Sequence, residues 1–265
     1  ADAGVAKKSV HSIGVGVPGT ANGKTGRIEY ANNLPNCQGH IRQLLPGQTS
    51  KKIYFENDAN AAAWGEYLCC EKKPESFVMV TLGTGVGGGI ILNGRLVRGI
   101  NYAAAELGHM SICCGGRPCT CGRNGCLEAY ASAEALVLRT REVMEKKKKS
   151  LLWELCGQDI SRVNGKLIFD AVRQEDRTAQ KLVDEYAEYL SEGLANIINM
   201  LQPELLCIGG GISRSADVLL PLVKERLSGK IYSRYSARNT RIAAATLDND
   251  AGIIGAAKLR QCPGQ

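Results

Sequence analysis

Three stretches of the 265-residue chain predict an α/β fold. "KKIYFENDANAAAWGEYLCC" reads as a strand, Ile53 to Glu56, running into a helix that begins at Asn57 or Asp58, with Ala, Trp, Glu, Tyr and Leu as good continuers. From Phe77, "FVMVTLGTGVGGGIILNGRLVRG" reads as strand, glycine turn, strand, Asn93-Gly94 turn and third strand, the Asn-Gly pair being a strong hairpin signal. "ELLCIGGGIS" is a buried apolar strand that precedes the helix "ADVLLPLVKERL". Strands that alternate with helices place the chain in the α/β class.

The remaining elements fit that class. "VHSIGVGVPG" is a short β-rich run ending in a Pro-Gly turn, as expected of a central strand that delivers a loop. Apolar residues recur three and four apart from Leu127 to about Lys149 and again from Thr178 to Leu201, predicting two helices. "AGIIGAAKLR" predicts a short C-terminal helix.

At 44% hydrophobic and 22% charged residues, the composition is that of an ordinary globular chain able to bury a core as one large domain or two smaller ones. No run of 18 apolar residues appears, and "ADAGVAKKSV" lacks the pattern of a signal peptide, so a soluble, cytoplasmic protein without a membrane partner is expected. Part of the +7 net charge lies in "EKKKKS", Glu145 to Ser150, at the end of a helical pattern. Cations there favour the negative helix end and solvent, and the run carries no interleaved aromatics of the kind that stack on nucleic acid. Ligands bearing phosphate remain compatible with this charge.

"GTGVGG", Gly83 to Gly88, matches GxGxxG in form but opens the strand "GIILNGRLV" rather than a helix, so it is not a dinucleotide fingerprint. It reads instead as a turn where Gly85 lets the backbone approach a ligand and Thr84 offers a hydroxyl, a concavity suited to phosphate. Gly209, Gly210 and Gly211 come straight off a buried strand, at the carboxyl end where ligands of open α/β sheets collect. Two glycine-lined strand ends suggest one nucleotide held between them; no P-loop is present.

Eleven cysteines, an odd number, argue against complete disulfide pairing. "CTCGRNGC" sets Cys119, Cys121 and Cys126 in eight residues, with Gly122 and Gly125 allowing tight turns round one ion. Structural zinc asks for four ligands. His109, ten residues upstream, ranks ahead of Cys113 and Cys114 as the fourth, although spacing alone leaves both open. The dispersed Cys37, Cys69, Cys70, Cys156, Cys207 and Cys262 read as small buried hydrophobes or incidental thiols.

"ELGHMSICCGGRPCTCGRNGCLE", Glu106 to Glu128, resembles the signature of the ROK family of repressors, open reading frames and sugar kinases: a Glu-x-Gly-His segment, a cysteine-rich zinc loop and a closing glutamate. "ENDANAAA", "TLGTGVGGG" and "CIGGGIS" extend the resemblance over nearly the whole chain, with bacterial glucokinases of the family most alike. The resemblance implies an actin-like, hexokinase-like ATPase fold of two lobes with ribonuclease H-like cores and a cleft between them that closes to exclude water. The smaller lobe would hold residues 1–76 with the C-terminal helix 251–265 returning to it, and the larger lobe residues 77–250. It further implies a first strand and glycine-rich turn preceding "ADAGVAKKSV", so the smaller lobe is expected to lack its first strands.

The activity implied is ATP-dependent phosphorylation of a hexose, with Asp58 as general base, Mg²⁺ accompanying ATP, and a structural Zn²⁺. Asn33, Asn57, Glu106, His109 and Glu128 would bind the sugar. Thr84 and Gly85 would face the phosphates, and Gly209, Gly210 and Gly211 the adenosine. His109 would join Cys119, Cys121 and Cys126 on zinc through one ring nitrogen and meet a sugar hydroxyl through the other. Glucose is the first choice; N-acetylmannosamine, fructose and allose differ by one or two hydroxyl contacts. A homo-oligomer, dimer or tetramer, is implied as well. The rival is a sugar-sensing repressor whose DNA-binding domain would lie upstream; Asp58 and both glycine loops favour the kinase. A zinc-ribbon nucleic-acid module does not fit one cysteine cluster inside an α/β chain.

Overall fold

The computed structural model describes residues 4, 6–31, 39, 40 and 49–264. Its strands and helices alternate from β1 (Ser12–Val17), β2 (Thr20–Asn22), β3 (Arg27–Tyr30), β4 (Gly39–His40) and β5 (Lys52–Asn57) into α1 (Asp58–Cys69). Next come β6 (Ser76–Leu82), β7 (Val86–Leu92) and β8 (Arg95–Leu96), then α2 (Glu128–Ala131), α3 (Ala133–Lys146), α4 (Leu151–Leu155), α5 (Gly165–Arg173) and α6 (Arg177–Leu201). The chain ends with β9 (Leu205–Gly209), α7 (Ala216–Lys230), β10 (Arg241–Ala244) and α8 (Asp250–Ala257). Among the described residues these strands form a parallel β1-β5 pair, an antiparallel β2-β3-β4 sheet and a five-stranded sheet of order β10-β9-β6-β7-β8. No helix of the described residues is long and apolar enough to cross a membrane.

The chain divides into two compact units, and it passes from one to the other within β6 and β7. The first comprises Ala1–Met79, Gly88–Glu106 and Asn249–Gln265. Its α1 is an alanine-rich helix whose buried face, Ala59, Ala61, Ala63 and Trp64, accepts α8 at backbone distance. A Cβ on Gly65 would lie 2.2 Å from the Ala251 carbonyl oxygen, and one on Gly255 would lie 1.7 Å from that of Ala61. Small side chains on both helices therefore set this crossing. The β1-β5 register pairs Gly16 with Glu56 and Val17 with Asn57, which carries the Pro-Gly turn after β1 to the start of α1.

The second unit comprises Val80–Gly87 and Leu107–Asp248. Its central helix α6 runs 25 residues and buries Leu182, Val183, Tyr186, Leu190, Leu194, Ile197 and Ile198 on one face. Asp176 caps its start and Gln202 closes it in the left-handed conformation at φ 44°. Gly193 on α6 makes room for the fully buried Leu127: a Cβ there would lie 2.5 Å from that side chain.

Local sequence misjudged several elements. The helix expected from Leu127 to about Lys149 is broken at Ser132, which is extended (ψ 158°) and accepts the Ala135 N–H as the cap of α3, so α2 is a single separate turn. Periodicity continues across such a break because both pieces bury residues on the same interior. Strands β2, β3, β4 and β10 and helices α4 and α5 were not anticipated; the strands are two to four residues long and too short to establish an alternation.

Candidate active site and metal centre

In the first unit, the strand-to-helix junction presents Asp58. Asn57 is the N-cap: its Oδ1 accepts the Asn60 N–H at 3.0 Å and its Nδ2 donates to the Gly19 carbonyl at 3.1 Å. Asp58 is thereby the first helical residue, exposed, and spared the capping role that would occupy an isolated aspartate at a helix start. Its Oδ1 accepts the Ala59 N–H at 2.8 Å. Desolvation by the surrounding protein pushes its pKa above the ordinary carboxylate range, and the backbone N–H groups of Ala59 and Asp58 partly offset that shift.

Directly before this junction lies a buried ion pair that sequence reasoning missed. Glu56 is 1% exposed and its Oε2 accepts the Arg98 Nε–H at 2.6 Å. Glu56 Oε1 accepts from the Asn57 backbone N–H and from Asn60 Nδ2, each at 3.2 Å. Arg98 also donates to the Pro263 carbonyl and the Cys262 thiol, each at 3.1 Å. One network thus fastens the start of α1 to the C-terminal segment. Glu106, also in this unit, is exposed. Asn33 lies outside the described residues.

In the second unit, both glycine-lined strand ends lie side by side. Gly210 has φ 84°, and a Cβ on it would stand 2.4 Å from the Leu82 carbonyl oxygen, immediately before the turn at Gly83. Thr84 is exposed in that turn. Gly209 ends β9, and Gly210 and Gly211 lead into a 3₁₀ turn (Gly211–Ser215) before α7. The two glycine loops are therefore neighbours in space.

The segment carrying His109 packs on the same turn. Gly108 permits it, since a Cβ there would lie 2.1 Å from the Val86 carbonyl oxygen. Glu128 follows the buried Leu127 and accepts the Val86 N–H at 3.0 Å through Oε2. Its Oε1 lies 3.4 Å from the Thr120 hydroxyl and 3.7 Å from the Cys119 thiol.

His109, Cys119, Cys121 and Cys126 converge, with all four candidate ligand atoms within 4.8 Å of one another. His109 Nδ1 is 3.6 Å from Cys119 Sγ, and Cys121 Sγ is 3.7 Å from Cys126 Sγ. Tetrahedral zinc, with bonds near 2.3 Å to sulfur and 2.0–2.1 Å to nitrogen, sets such edges at about 3.6 and 3.8 Å. Cys113 and Cys114 are exposed and stand outside the cluster, which leaves His109 as the fourth member. Burial and the adjacent Cys121 and Cys119 thiols push the Cys126 thiol up to about 12, while the Arg123 backbone N–H draws Cys121 down. A divalent cation bound there would supply the charge that lets all three deprotonate together.

Backbone geometry holds the loop in shape. Gly125, at φ 81°, would with a Cβ approach the Cys113 carbonyl to 1.7 Å. Arg117 clamps the loop to its helices: its backbone N–H donates to the Tyr130 hydroxyl at 2.7 Å and its guanidinium lies 4.5 Å from the Tyr130 ring centroid. Nothing in the local sequence signals that role for Arg117.

The ROK family profile matches residues 2–262. The chain belongs to the ROK family. Among its ROK relatives, a glucokinase of Thermotoga maritima is 36% identical over 249 residues, spanning 93% of this chain and 78% of that one. A xylose repressor of Caldicellulosiruptor bescii is 28% identical over 251 residues, 94% of this chain and 62% of the repressor. Among solved structures, the ROK family glucokinase from Streptomyces griseus in complex with glucose and AMPPNP superposes with a TM-score of 0.87 at 32% identity, covering 96% of this chain and 82% of that one. The fold is accordingly the actin-like, hexokinase-like ATPase fold of ROK glucokinases.

Proposed function

We propose that this protein is an ATP-dependent hexose kinase that converts a hexose, glucose first, to its 6-phosphate. The observation that carries the reading is the junction at the start of α1, where Asn57 takes the cap and leaves Asp58 a solvent-reached carboxylate of raised pKa. Asp58 takes the proton of the 6-hydroxyl as that oxygen bonds to the γ-phosphorus, and the bond from phosphorus to the β-γ bridging oxygen breaks to leave ADP. Glu106, His109 and Glu128 hold sugar hydroxyls. The Asn57 amide retains one donor hydrogen and one lone pair for the sugar beside its two structural bonds, and Asn33 joins this set on the family pattern alone. Thr84 and Gly85 border the phosphates, and Gly209, Gly210 and Gly211 the adenosine.

Mg²⁺ accompanying ATP would neutralise charge on the transferring phosphoryl group, and His109, Cys119, Cys121 and Cys126 would hold a zinc ion that fixes the loop without entering the chemistry. A His109 ring engaged at Nδ1 keeps Nε2 for a hydroxyl. A cytoplasmic homo-oligomer completes the reading. Likeness to glucokinases over more than nine-tenths of the chain supports the kinase, while likeness to a xylose repressor supports a sugar sensor as second reading.

Release of ADP from ATP and Mg²⁺ across glucose, N-acetylmannosamine, fructose and allose tests this. Hexose-dependent turnover is expected, fastest with glucose. Hexose binding without turnover for any sugar would transfer the assignment to the sensor.

A further inference from the structure

The surroundings of Gly85 point to a role in addition to bordering phosphate. The three heavy atoms nearest a Cβ placed on it all belong to Glu128: Oε2 at 2.3 Å, Cδ at 3.2 Å and Cγ at 4.0 Å. Its φ lies outside the left-handed region, so backbone conformation does not require glycine there. What requires glycine is the Glu128 carboxylate, whose Oε2 sits under the turn and accepts the N–H of the next residue, Val86, at 3.0 Å. The other oxygen, Oε1, faces the cysteine loop, with the Thr120 hydroxyl at 3.4 Å.

We infer that Glu128 couples the hexose site to the nucleotide turn, and that Gly85 is a positioning residue for the hexose. This rests on the hexose-kinase reading. A hydroxyl donated to Oε1 fixes the Glu128 rotamer, which keeps Oε2 beneath the Val86 N–H and orders the turn that carries Thr84. The coupling is reciprocal, so a nucleotide that orders the turn also holds Glu128 ready for the sugar. Its sign is positive: each ligand tightens the other.

Gly85→Ala separates this role from a phosphate role. The atoms the new methyl meets are the far end of one flexible side chain, so Glu128 swings aside while the fold survives. Gly83→Ala is the control in the same turn, because nothing lies within 4 Å of a Cβ there. Calorimetric titration of wild type and both variants with the four hexoses, with and without AMPPNP, reads the outcome. Gly85→Ala is expected to lose hexose affinity by about tenfold or more, the equivalent of one charge-assisted hydrogen bond. The tightening of hexose by AMPPNP, on the order of fivefold or more in wild type, should vanish. Gly83→Ala should bind hexose as wild type does. Hexose binding unchanged in Gly85→Ala, or a loss confined to AMPPNP, would overturn the inference. A wild type that binds none of the hexoses would show instead that the kinase reading has failed, and the inference with it.

Discussion

Asp58 combines an exposed carboxylate with a pKa pushed upward by the protein around it, and both properties suit a base. Below the raised pKa the carboxyl is protonated and cannot accept the hydroxyl proton, so kcat is expected to fall with decreasing pH through a limb placed above the ordinary aspartate range. A rate profile that stays flat down to that ordinary range would contradict this. The same shift has a stability sign. A carboxyl whose folded pKa exceeds its unfolded value binds more protons when folded, so stability declines as pH rises through the window and remains lower above it. Asp58→Asn should therefore melt no lower than wild type at neutral pH. The sequence exposed Asp58 itself, since "END" before an alanine-rich run marks a helix start. It did not settle whether Asn57 or Asp58 would cap, because both side chains are good caps and only their rotamers decide. Nor could it show why position 85 is glycine, since Glu128 is 43 residues away in sequence, 128 minus 85.

The elements that hold these residues make separate claims. The Glu56–Arg98 pair is buried, with side chains 2% and 11% exposed, and a partner removed from such a pair leaves an uncompensated charge. Arg98→Ala is expected to cost about 3–5 kcal/mol in urea unfolding, far beyond a surface ion pair. A loss below about 1 kcal/mol would mean the pair is solvated in solution. The cysteine loop should carry about one zinc per chain. Chelation or Cys121→Ser should release it, lower the melting temperature and raise the hexose KM more than it lowers kcat, because in the proposed reading His109 orients sugar without touching the phosphoryl group. Unchanged KM in metal-free protein would separate the loop from the sugar site. This loop was legible because its spacing is local, and so were the long helix α6 and the strands β6, β7 and β9. The break at Ser132 was not, because a cap inside an apolar periodicity leaves the pattern intact. The short strands β2 to β4 exist through pairing with one another, which a linear reading does not contain.

At the scale of the molecule, the adjacent glycine loops and the cysteine-histidine cluster could be read from residue type and spacing, whereas the assignment of the helix cap to Asn57 rather than Asp58 could not. Nor could substrate identity, because hexoses differ in single hydroxyls that side-chain placement, not side-chain type, distinguishes. The central claim is that Asp58 is the base of a hexose kinase. Its most direct test is steady-state ADP formation by wild type and Asp58→Asn with the best hexose of the panel, alongside calorimetric binding of that hexose to both. The account expects kcat to fall on the order of 10²–10⁴-fold with hexose affinity and melting temperature preserved. An Asp58→Asn enzyme that turns over within a few-fold of wild type would contradict it.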